Sequence, residues 1–125
     1  MFQIDTKHPT PLYHQLERSI KFAIATGRLR IGDQLPTVRQ LAVDLRINAN
    51  TVAKVYAELE RLGVLETRRG VGTFVQDRPA EATFSRRDRE RNLRELADHF
   101  IAETHTRGFS LDEVIEHLEK RRRKA

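Results

Sequence analysis

The sequence predicts a mostly α fold with one small β-hairpin, and three observations carry that expectation. Apolar residues recur at helical spacing in five separate segments. One stretch, residues 64–76, switches instead to two short β-type runs around glycines. The joins between segments are short and hold the residue types that cap helices or turn chains.

Taken in order, residues 1–7 hold an apolar pair, Phe2 and Ile4, spaced by two, as in a short extended arm packed on a domain. Thr10-Pro11 opens the first helix, with Thr as N-cap and Pro at the first position, where its missing N–H costs nothing. Leu12, Leu16, Ile20 and Ile24 mark its buried stripe, and Gly27 ends it. Tyr13 sits beside the stripe as core or edge. Leu29 and Ile31 are expected to continue into the core before Gly32-Asp33 turns the chain.

Residues 35–62 then read as two short helices joined tightly. Val38, Leu41, Ala42 and Leu45 share one face of the first; Val52, Val55, Tyr56, Leu59 and Leu62 share one face of the second. Thr37 precedes Gln40 by three residues, a capping box with Pro36 before it. Asn48 can cap the second helix, and Gly63 suits the left-handed position after it. The turn Arg46-Ile47-Asn48 forces the helices to pack at an angle. This is a helix-turn-helix over about 36–62, whose second helix is built to enter a DNA major groove.

The outward face of that second helix carries Asn50, Lys54, Ala57 and Arg61, flanked by Thr51 and Ala53. Asparagine bonds bidentately to adenine, threonine meets base edges or phosphates, and lysine and arginine suit phosphates. Small alanines allow close approach. A plain solvated face has a similar composition, so the elements that follow matter. Val64 to Thr67 and Gly72 to Gln76 form two short runs around Arg68-Arg69-Gly70-Val71. A hairpin directly after a recognition helix is a wing, here about 64–76, and an arginine at its tip suits a narrow minor groove.

Charge agrees. The formal net charge is +5 and the pI about 10.1, which favours an anionic partner. Residues 79–125 hold 11 Lys and Arg against 10 Asp and Glu, so most of the excess lies in residues 1–78. The chain has no cysteine, which excludes disulfides and cysteine-based zinc sites. No apolar run approaches the roughly 20 residues of a membrane span. The N-terminus lacks the apolar core of a signal peptide, so a cytoplasmic protein is expected.

At this point the motifs resemble a known family. P11-L-Y-H-Q-L16, the run from Ile20 to Ile24 ending at G27-R-L29, G32-D-Q-L-P-T-V-R-Q-L-A42, N50-T-V-A-K-V-Y-A-E-L59 and G70-V-G-T-F-V75 fall in the order seen in GntR-type winged-helix regulators. The short C-terminal region resembles the YtrA-like subgroup. The resemblance implies a repressor acting on a transporter-type operon, often its own. It assigns DNA contact to Arg39, to Asn50 and Thr51 at the start of the recognition helix, and to Arg69 and Gly70 at the wing tip. The chain departs from many relatives at Ala49 and Ala53, where they carry arginine. Base readout therefore shifts to Asn48, Asn50 and Lys54, and Thr37 is counted among the DNA-binding candidates.

After the winged domain (residues 1–77), residues 78–87 read as a linker and 88–125 as a helical extension. Leu93, Leu96, Ala97, Phe100 and Ile101 form one stripe, and Gly108 breaks the helix. Ser110 and Glu113 make a second capping box ahead of Leu111, Val114, Ile115 and Leu118. Two helices of this size bury too little to stand alone. The expected partner is the same pair in a second subunit, through Leu93, Leu96, Phe100, Ile101, Leu111, Val114, Ile115 and Leu118. A two-fold places recognition helices about 34–36 Å apart on a near-palindromic operator.

Glu95, His99 and Glu103 lie four apart on one face, which surface pairing explains without a metal. No metal, cofactor or catalytic residue is expected, since no nucleophile–base pair, phosphate loop or ligand cluster appears. The basic tail 120–124 suits either phosphates or solvent. No ligand pocket is legible in the extension, so the sequence leaves any small-molecule effector unidentified. The competing reading is a winged-helix interaction module that binds an acidic protein rather than DNA.

Overall fold

A computed structural model describes residues 2–76 and 85–124, with the side chains of 123 and 124 outside that description. The order is α1 (Leu12–Ala25), α2 (Val38–Leu45), α3 (Ala49–Arg61), β1 (Leu65–Arg68), β2 (Gly72–Val75), α4 (Arg86–Thr106) and α5 (Leu111–Lys124). The chain divides into two compact units, residues 1–78 and 79–125. The predicted linker 78–87 falls outside the described residues up to 84. Arg86 and Arg87 are not linker, because they form the first turn of α4.

In the first unit, α3 is the central element: it packs on α1, α2 and β1. Its Val52, Val55 and Leu59 are fully buried beside Leu16, Ile20 and Leu65. The amphipathic spacing produces this directly, since burying one stripe leaves the opposite face in water. Phe2 is buried and Ile4 packs against the same core. The arm is fixed by Gln15, whose amide accepts from Asp5 N at 2.8 Å and donates to the Asp5 and Thr10 carbonyls at 3.0 and 2.7 Å. Pro11, rather than Thr10, occupies the N-cap of α1 because its ψ of 146° is still extended. Leu29 is buried, but Ile31 is 64% exposed, against expectation.

The reason lies in residues 32–35, which run antiparallel to β2 through an isolated bridge, Gln34 opposite Phe74. Gly32 N donates to Val75 O, Val75 N to Asp33 O and Leu35 N to Thr73 O, each at 2.8 Å. That pairing carries Leu35 into the core and leaves Ile31 just outside it. β1 and β2 pair antiparallel, Leu65 with Val75 and Arg68 with Gly72. The turn is thus one residue shorter than the sequence suggests: Arg68 belongs to the strand and the tip is Arg69-Gly70-Val71.

Both helix ends flanking the recognition element close with the same motif. After α3, Val64 N reaches Leu59 O and Gly63 N reaches Glu60 O, with Gly63 at φ +78°. After α2, Ile47 N reaches Ala42 O and Arg46 N reaches Val43 O. Here the left-handed residue is Arg46, at φ 57° and ψ 45°. A side chain in that conformation costs about 1–2 kcal/mol, which glycine avoids. Arg46→Gly should therefore raise the stability of the first unit, by about 0.5–1 kcal/mol after its extra unfolded-state freedom is counted. Thermal unfolding followed by circular dichroism checks the sign.

In the second unit, Ser85 caps α4 by accepting from Asp88 N at 3.1 Å. Gly108, at φ +94°, ends that segment. Ser110 and Glu113 cap each other's backbone N–H, both at 3.1 Å, ahead of α5. α4 and α5 pack on each other, yet Val114 is the only one of their large apolar side chains that is buried among the described residues.

Candidate nucleic-acid interface

The candidate interface draws on three pieces of chain: the start of α2, the outward face of α3 and the hairpin tip. Thr37 accepts from Gln40 N at 3.1 Å, while Gln40 Oε1 accepts from Thr37 N at 3.0 Å. This box fixes the first turn of α2, on which Arg39 is exposed. Asn48 Oδ1 accepts from Asn50 N at 2.8 Å, capping α3. The cap uses the acceptor of Asn48 and leaves its amide donors available. Asn50 and Lys54 are exposed one turn apart, Ala53 and Ala57 keep that surface low, and Thr51 is half-buried at its edge.

A buried hydrogen bond joins α3 to the chain before α2. The Tyr56 hydroxyl donates to the Pro36 carbonyl at 2.7 Å. Burial pushes the Tyr56 phenol far above its ordinary value, so it remains a donor at any physiological pH. Tyr56 thus fixes where the recognition helix sits relative to Thr37 and Arg39.

Among the described residues, Arg39, Lys54 and Arg69 have no ion-pair partner, whereas Arg61 does. Arg61 Nε donates to Glu58 at 2.9 Å, and this pairing holds the Glu58 carboxyl below its usual range. Arg61 thus differs from Arg39, Lys54 and Arg69 in already having an acidic neighbour. Arg68 is likewise occupied, with its guanidinium 4.4 Å from the Phe74 ring centroid and 3.6 Å from Glu66. Arg69 and Gly70 are exposed at the tip, where Gly70 has φ +76°.

Sequence reasoning missed Gln34. Its Nε2 donates to the Val71 carbonyl at 3.0 Å, linking the chain before α2 to the hairpin tip. A lone glutamine in a turn gives no periodic signal. In the structure, a Cβ at Gly72 would meet the Gln34 amide.

Helix-turn-helix plus hairpin, with an exposed polar and cationic surface, defines a winged-helix DNA-binding regulator. Residues 12–75 match the model of the bacterial regulatory proteins of the gntR family, and the chain belongs to that family. It is 36% identical over 120 residues to the HTH-type transcriptional repressor YtrA of Bacillus subtilis, covering 96% of this chain and 91% of that one. A crystal structure of a transcriptional antiterminator from Listeria monocytogenes superposes with a TM-score of 0.69 at 30% identity, covering 96% and 88% of the two chains. The AraR DNA-binding domain bound to operator ORX1 superposes at a TM-score of 0.54 with 25% identity, covering 59% of this chain and 95% of that one. The protein is a transcription regulator and not an enzyme. No helix among the described residues is long and apolar enough to cross a membrane.

Proposed function

We propose that the protein is a dimeric repressor that reads a near-palindromic operator, with transporter-type genes, its own among them, under its control. The observation that carries the reading is the division of labour on α3. One face buries Val52, Val55, Tyr56 and Leu59, and the other presents Asn50 and Lys54 beside a capped N-terminus and an exposed Arg39. Asn50, with Asn48 and Thr51, reads base edges. Arg39 and Lys54 add to that readout, and Arg69 holds phosphate or, against Gly70, the narrow minor groove. Thr37 sets the start of α2.

Dimerisation is supported by the second unit. Leu93 and Leu96 are 69% and 70% exposed, and Phe100, Ile101, Leu111, Ile115 and Leu118 are also exposed. So many exposed apolar side chains on a two-helix unit call for cover, and a second copy of the same pair would supply it across a two-fold. Similarity to the transcriptional repressor YtrA supports repression; any effector would act by changing how the two heads are spaced.

Selection of bound DNA from a random pool tests the proposal. The expected result is one enriched motif with two-fold symmetry and half-sites about one helical turn apart, bound with a steep salt dependence. Enrichment of no sequence, together with capture of an acidic protein, would replace it with the interaction-module reading.

A further inference from the structure

We infer that Gln34 is a positioning residue for the wing: its side-chain amide fixes the hairpin tip so that Arg69 meets DNA from a defined place. The inference rests on the DNA-binding reading above. A hairpin of two four-residue strands is soft on its own, because isolated two-stranded pairs are marginally stable in water. The backbone of residues 32–35 stiffens its base, but the last backbone bond from that segment ends at Thr73. The tip, Arg69 to Val71, lies beyond it.

Gln34 continues the pairing with its side chain. Its Nε2 reaches Val71 O at 3.0 Å, and Val71 N in turn closes the turn on Arg68 O at 2.9 Å. Arg69 is the second residue of that turn, so the bond to Val71 constrains the backbone from which its side chain starts. Gly72 is part of the same device. It has φ +144°, and a Cβ there would occupy the space of the Gln34 amide. Arg68, in the strand rather than the tip, is drawn away from it by its stack on Phe74. One cation therefore depends on one clamp.

Gln34 is itself exposed, and the backbone bonds of its segment do not use its side chain. Its loss is thus separable from loss of fold. Gln34→Met keeps the length and removes the donor; Gln34→Glu keeps the shape and turns an acceptor toward the Val71 carbonyl. Each is combined with Arg69→Ala in a double-mutant cycle, with titrations against the selected operator. Gln34→Met and Gln34→Glu should each weaken binding about three- to tenfold, the range for one lost hydrogen bond. The slope of log affinity against log salt should fall by up to about one contact. In the Arg69→Ala background the same changes should cost less than about twofold, because their effect passes through Arg69. Additive losses, or unchanged binding by both Gln34 variants with wild-type circular dichroism, would overturn the clamp while leaving DNA recognition intact. Failure of the wild-type protein to select any sequence would remove both readings.

Discussion

Replacing Leu96 and Phe100 together with glutamate should separate the protein into single chains and lower operator affinity about 10²- to 10⁴-fold. That is the range by which a second tethered head raises binding over one. The two residues lie one turn apart on α4 and are 70% and 45% exposed in the single chain. Glutamate is a good helix former, so α4 should survive the change. Four carboxylates facing one another across a two-fold would not be buried together. The first unit holds none of the changed residues, so half-site contacts should persist at high protein concentration. Sedimentation analysis alongside operator titration reads both effects. A variant that stays dimeric, or that binds as a monomer with undiminished affinity, contradicts the assignment of this face.

Leu59→Ala should remove about 2–5 kcal/mol from the first unit, a large share of the roughly 5–15 kcal/mol a small domain has. Leu59 is fully buried on α3, in the core that joins α1, α2 and β1. The cavity would sit directly behind the recognition face. The helix would lose its support, not its outward residues. Operator binding should therefore fall with the folded fraction as temperature rises. At low temperature, where the unit is still folded, base preference should match that of the wild type. Denaturant unfolding with parallel binding measurements separates the two. A Leu59→Ala protein as stable as wild type would mean that α3 is not held by this core.

The helices and hairpin were legible because their signals are local. Thr37 with Gln40 and Ser110 with Glu113 form the reciprocal caps that their three-residue spacing suggests. Gly63 takes the left-handed position expected of it. What escaped depends on contacts between segments distant in sequence. Ile31 is exposed because residues 32–35 pair with β2, a register invisible in the residue types nearby. The Arg68–Phe74 stack takes one arginine out of the wing tip, and the Glu58 pair occupies Arg61. The early start of α4 had a readable signal in Ser85 and Asp88, three residues apart, but dense charge obscured it. The outward placement of Asn50 and Lys54 on α3 follows from spacing alone. The contact of Gln34 does not, since its partner lies 37 positions away.

The central claim is that the outward face of α3 reads bases, and comparing the DNA pools selected by wild-type and Asn50→Ala proteins tests it most directly. Relaxed preference is expected at one symmetry-related position in each half-site, worth about 1–3 kcal/mol, with the remaining positions unchanged. Identical motifs from the two folded proteins would contradict it.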